Sequence, residues 1–465
     1  MKQIKFGTDG WRAIIADDYT LENLRRVAEG TALWMKNQGF SKVVIGYDTR
    51  FGGKLFAETT ACSIGAFGIQ VLLCSDYVST PMVSLGVVKL KADLGVVITA
   101  SHNPPSYNGY KLKSNLGGPL VQRYVDEVEA LIPEVITHEP LTLEELKNKG
   151  LLEYQDLEQI YIDHVKANFD LDLIKNSGIK VAYDAMYGAG QRAFQTLLPG
   201  AVTLHCENNP SFYGQAPEPI ERNLTEIAEL IQKHGNIGLG IANDGDADRV
   251  GLFDSAGNFV DSHRILLLLL LYLFKYKKQT GKVIFTFSVT DKMAKLARHF
   301  GLDFEITKIG FKYIADIMSK EDVLVGGEES GGLAVKGHIP ERDGIWIGLM
   351  ILEFMAFTKK SVGELVQEVY DIVGGFAFDR NDLHLSEEKK QSIIQACEKE
   401  TFQKFGSYSI VALQKLDGFK FDLGADQWVM IRPSGTEPVL RVYCQGADRA
   451  AVEDILEQVK ETILA

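Results

Sequence analysis

A serine, three closely spaced aspartates and an arginine–serine–threonine turn are the parts of this chain best equipped for chemistry. Ser101 lies in Thr99-Ala-Ser-His-Asn-Pro-Pro-Ser-Tyr-Asn-Gly-Tyr-Lys111. The apolar, β-branched run Leu94–Ala100 before it reads as a buried strand. Asn103-Pro104-Pro105 then forbids helix, and Asn108-Gly109 adds a tight turn. The pattern predicts a rigid loop at a strand end, with the Ser101 hydroxyl near its tip, where ligands of α/β proteins collect. A serine hydroxyl is a weak nucleophile at neutral pH and needs a base, a metal or a charged neighbour. Taken alone, a surface turn with an incidental serine is the better reading.

Asn243-Asp-Gly-Asp-Ala-Asp-Arg249 changes that weighting. In an extended segment Asp244, Asp246 and Asp248 fall on one side. Three carboxylates there repel one another unless they share a cation, and hard oxygen ligands favour Mg²⁺. An EF-hand calcium loop wants Gly at its sixth position and Glu at its twelfth, where this chain has Arg249 and Ser255. Arg249 can offer a planar fork to a phosphate.

Two further loops carry donors. Gly326-Gly-Glu-Glu-Ser-Gly-Gly332 follows an apolar strand at 323–325, and Glu328 with Ser330 can grip a pair of sugar hydroxyls. Arg432-Pro-Ser-Gly-Thr-Glu-Pro438 follows the strand 428–431. Its guanidinium, two hydroxyls and backbone N–H groups make an anion cradle.

Together these loops resemble the four signature loops of the α-D-phosphohexomutases, in that family's order. Phe6-Gly-Thr-Asp-Gly-Trp-Arg12 is similar to its N-terminal loop, so the resemblance runs from residue 6 to residue 438. It implies three similar α/β domains with mixed sheets and a smaller C-terminal α+β domain around a central cleft. It also implies Ser101, Lys111 and Arg12 as catalytic residues, with Ser101 carrying a phosphoryl group. The metal, Mg²⁺, would be held by Asp244, Asp246, Asp248 and a phosphoryl oxygen on Ser101. Substrate contacts would come from His102, Arg249, Thr307, Lys312, Glu328, Ser330, Arg342, Arg432, Ser434, Gly435 and Thr436. Thr307-Lys-Ile-Gly-Phe-Lys312 resembles a second sugar loop, and Gly337–Gly344 a segment of glucose-specific members, with Arg342 in place of their lysine. Some members carry His where this chain has Gly332. His102 is adjacent to Ser101 in sequence and is expected to orient the loop rather than reach the hydroxyl. Lys111, Lys312 and Arg342 could equally be ordinary surface charges.

These loops need a scaffold of several domains. At 465 residues the chain exceeds one core and suggests roughly three or four. Strands at 42–48, 70–74 and 94–100 alternate with helices at 19–38 and 54–67, the pattern of an α/β layer domain. Residues 133–150 read as a connector, followed by a helix from 154 to 169 and strands at 180–184 and 237–242. An apolar helix at 265–274 and a strand at 282–288 open a third domain, and a second apolar run covers 344–357 with Glu353 interrupting it. Lys-Val openings at 42, 180 and 282 hint at three similar units. Val373-Gly-Gly375 marks the last boundary, before helices at 387–405 and 448–464. The expected domains are 1–150, 151–257, 258–373 and 374–465.

A net charge of −13 argues against nucleic-acid or anionic-membrane partners. The five scattered cysteines suit reduced thiols in a cytoplasmic protein. Nothing in the sequence sets an oligomeric state.

The reaction this implies interconverts hexose 1-phosphate and hexose 6-phosphate. Glucose is the first substrate and mannose the second, with a hexose 1,6-bisphosphate as intermediate and activator. A phosphoglucosamine mutase usually reads Gly-Ile-Arg where this chain has Gly10-Trp-Arg12, and a phosphopentomutase stays open. A metal-dependent phosphatase using Asp244 as nucleophile leaves Ser101 and Arg432 without purpose. A sugar-phosphate sensor leaves the aspartates unexplained.

Overall fold

Runs of consecutive apolar residues become strands covered on both faces, which is how parallel sheets are buried. The structure, a computed structural model, describes residues 4–7, 9–433 and 439–465. The chain forms two compact units, one of residues 1–283 with 310–366, the other of 284–309 with 367–465.

In the first unit, a six-stranded sheet is built from β1 (Trp11–Ile14), β2 (Lys42–Tyr47), β3 (Gln70–Cys74), β4 (Leu94–Ile98), β5 (Tyr107–Ser114) and β6 (Leu152–Gln155). Its order is β1-β5-β4-β2-β3-β6. β2 runs parallel to β3 and β4, and β6 parallel to β3, while β5 is antiparallel to β4 and β1. Helices Leu21–Asn37, Gly53–Gly65 and Thr80–Lys89 connect its strands. The segment read as a connector holds a short helix, Leu143–Asn148, and leads into β6. The first sheet therefore extends past residue 150, and the next helix begins at Leu157 rather than 154.

A second sheet of the same unit contains β7 (Lys180–Asp184), β8 (Val202–Leu204), β9 (Ile237–Asn243), β10 (Val250–Phe253) and β11 (Phe259–Val260), ordered β11-β10-β9-β7-β8. It is mixed in the same way, with β7 parallel to β8 and β9, and β9 antiparallel to β10. Strand ends of both sheets lead into the candidate site loops: Ser101 follows β4, and Asp244 follows β9.

The apolar runs are helices Ser262–Leu271 and Gly344–Thr358, buried on nearly every face. Glu353 does not break the second one. It accepts the Tyr272 hydroxyl at 2.6 Å and pairs with Lys277 at 3.1 Å. Among the described residues no helix is long and apolar enough to cross a membrane.

β12 (Lys282–Thr286) and β13 (Phe304–Thr307) precede β14 (Val323–Gly327) and β15 (Leu333–Val335), which pair antiparallel and carry the Glu328 loop between them. The C-terminal part of the second unit begins with β16 (Ala377–His384). The helix expected over 387–405 stops at Glu398. Glu400 takes a left-handed φ of +55°, which a continuing helix excludes, and β17 (Lys404–Phe405) pairs with β18 (Tyr408–Ser409). With β19 (Ala412–Gln414), β20 (Phe419–Gly424), β21 (Gln427–Pro433) and β22 (Val439–Gly446) the main sheet has the order β16-β22-β21-β20-β19. Val429, Ile431, Leu440 and Val442 pack with Ile455 and Val459 of helix Arg449–Leu464 in one core.

Candidate active site

Ser101 is buried, at 1% exposure, and not at an exposed tip as its loop suggested. Strand β4 stops at Ile98, two residues before the apolar run does, and Ser101 takes a left-handed φ of +53°. Its hydroxyl donates to Asp244 Oδ2 at 2.9 Å. His102 does reach the serine, with Nδ1 3.3 Å from Oγ, because a left-handed residue breaks the alternation of an extended strand. Burial, then the cations Arg249 and Arg12, hold the His102 imidazole well below its ordinary range. Arg12 donates to Asn103 Oδ1 at 2.8 Å and so borders the same loop.

The three aspartates converge through a turn rather than by strand alternation. Ala247 has a φ of +55°, and its N–H donates to the Asp244 carbonyl at 3.0 Å. All three side chains are fully buried, and each offers an oxygen within 4.8 Å of the others, the one such cluster among the described residues. Asp246 accepts Thr80 Oγ1 at 2.5 Å and Lys111 Nζ at 2.8 Å. Lys111 also reaches Asp248 at 3.2 Å and Asp9 at 3.0 Å. Arg342 Nη2 lies 2.7 Å from Asp248 and 2.5 Å from Asp9. Burial, then Asp248 and Asp246, push the Asp244 carboxyl up. Burial would raise Asp246 too, but the Lys111 ammonium overrides it and holds Asp246 below the usual range.

The donor set fits a divalent cation. Asp246 Oδ1 and Asp248 Oδ1 are buried with no hydrogen-bond donor. Unsatisfied buried carboxylate oxygens are costly, and a hard cation is what satisfies them.

Lys111 is neither a surface charge nor on a loop. It lies on β5, fully buried. Its ammonium pairs with Asp9, Asp246 and Asp248, residues far from it in sequence, and offsets the charge of the cluster. Arg342 likewise is buried, at 5% exposure, and engages carboxylates.

Glu328 is buried, and burial pushes its carboxyl up to about 7. Its Oε1 accepts the Gly310 N–H at 2.9 Å. Ser330, two residues on, is half-buried. Arg249 bridges to Gly332 through its backbone, and its guanidinium lies 3.4 Å from Glu218 and 3.5 Å from His102 Nε2. A Cβ at Gly332 would stand 2.4 Å from Arg342 Cδ, so the Arg342 stem fills the space a side chain at 332 would need. Lys312 is half-buried, and its ammonium donates to Gln122 Oε1 at 2.6 Å rather than to an aspartate of the cluster.

In the second unit, the Thr307 hydroxyl donates to the Lys308 carbonyl at 3.0 Å. Arg432 lies on β21 itself rather than in a loop after it, and its Nε is 3.2 Å from Asp417 Oδ1. Ser434, Gly435 and Thr436 lie outside the described residues.

Sequence reasoning missed Asp9, Thr80, Lys113 and Glu341. Lys113 and Glu341 pair at 2.6 Å, both fully buried. Asp9 stood in a loop already singled out, whereas nothing in the sequence marks Thr80.

Four domain models described as phosphoglucomutase/phosphomannomutase match the chain. Alpha/beta/alpha domains I, II and III cover residues 3–138, 159–257 and 261–373, and the C-terminal domain covers 394–462. The chain belongs to the phosphoglucomutase/phosphomannomutase family. Members are isomerases, and the four-domain α/β architecture is the family's. A phosphoglucomutase/phosphomannomutase of Thermococcus kodakarensis is 29% identical over 97% of this chain and 96% of its own length. A phosphoglucosamine mutase of Methanococcus vannielii is 29% identical over the same shares. A solved structure from Thermus thermophilus, described as a candidate phosphomannomutase, is 32% identical, with a TM-score of 0.89 and full coverage of both chains.

Proposed function

We propose that this enzyme interconverts hexose 1-phosphate and hexose 6-phosphate, glucose first and mannose second, through a phosphorylated Ser101. The observation that carries the reading is the Ser101 hydroxyl 2.9 Å from Asp244, in a cluster with two carboxylate oxygens that lack donors. The phosphoryl group leaves Ser101 Oγ as a new P–O bond forms to the free sugar hydroxyl, whose proton passes in net to Ser101 Oγ, giving a hexose 1,6-bisphosphate and a free serine hydroxyl. After the bisphosphate reorients, its other phosphate returns to Ser101.

Asp244, Asp246 and Asp248 would hold Mg²⁺, which supplies charge stabilisation to the transferring group. Lys111 and Arg342 offset the carboxylates, so that an anionic substrate can enter an acidic protein. Glu328 and Ser330 grip sugar hydroxyls, and Arg432 holds the phosphate that is not transferred. The relative named as a phosphoglucosamine mutase favours glucosamine phosphate as the second reading.

The test is a panel of glucose, mannose, glucosamine and ribose 1-phosphates in coupled assays, with intact mass of the protein before and after exposure to glucose 1,6-bisphosphate. Isomer formation with a phosphorylated Ser101 supports the mutase. Inorganic phosphate without isomer would make it a phosphatase.

A further inference from the structure

We infer that Arg50 is the positioning residue of the Ser101 loop, a clamp that sets where the nucleophile stands; the inference rests on Ser101 being the phosphoryl carrier. Arg50 is 2% exposed and lies just after β2. Its Nη2 donates to the carbonyls of Ser101 at 2.5 Å and Asn103 at 2.7 Å. Its Nη1 donates to those of Pro104 at 2.9 Å and Tyr107 at 3.2 Å. The four terminal N–H bonds of one guanidinium are thus matched by four carbonyls of one loop, and Nε faces Asp48 at 3.3 Å.

Only arginine can do this. Its donors form a rigid planar fork, whereas lysine has three donors on a point charge. The clamp is braced on two sides. Asp48 accepts the Thr99 hydroxyl at 2.5 Å, and Thr99 Oγ1 accepts the Ser101 N–H at 2.8 Å. The Phe212 ring lies under the guanidinium, 5.0 Å away. The aspartate loop closes on the same point: a Cβ at Gly245 would stand 2.6 Å from the Ser101 carbonyl and 3.6 Å from Arg50 Nη2. The carbonyl that Arg50 grips is therefore the one against which the aspartate turn is seated. Ser101 holds its left-handed φ where these hydrogen bonds and a close backbone contact converge.

A positioning residue should act on turnover more than on binding. The experiment compares Arg50→Met and Arg50→Lys with wild type, reading thermal unfolding, kcat and KM for glucose 1-phosphate, and phosphoserine by intact mass. We expect folded Arg50→Met to lose about 100-fold in kcat, the scale of a 1 Å misplacement, with KM within about threefold. Added guanidinium ion should restore part of that loss, and ammonium should not. Arg50→Lys should fall between Arg50→Met and wild type. If Arg50→Met does not fold, Arg50→Lys carries the test, with a kcat at least about 10-fold below wild type expected. Wild-type kcat in a folded variant overturns the clamp, as does a loss confined to KM. A Ser101→Ala arm separates the two readings. Dead Ser101→Ala beside a normal Arg50 variant overturns the clamp alone, whereas active Ser101→Ala overturns the nucleophile and the clamp with it.

Discussion

The Ser101 and aspartate loops differ from the Arg432 strand in how their charges are held. In the first, the three aspartates and Lys111 are fully buried, and the one lysine engages three carboxylates. In the second, Arg432 is 22% exposed and the ion pair described for it is with Asp417, also 22% exposed. A buried charge that loses one partner is left uncompensated and costs about 3–5 kcal/mol, while a partly exposed pair can exchange its partner for water or a ligand. The difference teaches that the groups around Ser101 are held in place by buried partners, whereas Arg432, if it binds phosphate as proposed, can give up Asp417 for another anion.

The sharpest break of this comparison is Ser101→Ala. It should abolish turnover and leave the protein unphosphorylated by intact mass, while the lost hydrogen bond to Asp244 costs about 1 kcal/mol in a denaturant melt. Normal interconversion would dismiss the serine.

Asp246→Asn comes next. If the aspartates hold Mg²⁺ as proposed, it removes a cation ligand worth about 3 kcal/mol, roughly 100-fold in kcat, with partial recovery in excess Mg²⁺. Full activity of the wild-type enzyme after EDTA treatment would remove the metal from the account.

Arg432→Ala should raise KM about 10-fold, the low end for a charge-assisted hydrogen bond, because the free enzyme already gives Arg432 a partner. More bisphosphate should escape into solution, and Ser101 should stay phosphorylated. Unchanged KM and bisphosphate release would reduce Arg432 to a structural pair.

The smallest effect concerns Glu328, whose carboxyl is pushed up to about 7 by burial. If the carboxylate grips sugar hydroxyls, KM should fall roughly fivefold as pH rises through about 7, and Glu328→Gln should flatten the profile. Stability moves the other way. A raised carboxyl favours the folded state in its protonated form, so the contribution is complete below the unfolded value and is lost as pH rises to about 7. An unshifted profile in Glu328→Gln would take the residue out of binding.

Much of the fold was legible because apolar runs announce buried strands: Gln70–Cys74 and Lys180–Asp184 fall where the sequence put them. The site was legible only as a set of loops. Lys111 looks like a surface residue because its partners Asp246 and Asp248 stand 135 and 137 residues away. The aspartates alternate in sequence, yet a left-handed Ala247 makes them a turn, which no β-strand periodicity foretells. Arg50 was invisible for a related reason. Its terminal donors all go to backbone carbonyls, and carbonyls carry no residue type to read.

The glycine at 332 has a consequence for how this sequence can change. Its missing Cβ is the room in which the Arg342 stem runs, and that guanidinium is pinned by Asp9 and Asp248. A side chain at 332 is therefore tolerated only after position 342 has shortened or turned away. The two positions are coupled: a side chain at 332 and the present course of the Arg342 stem exclude each other.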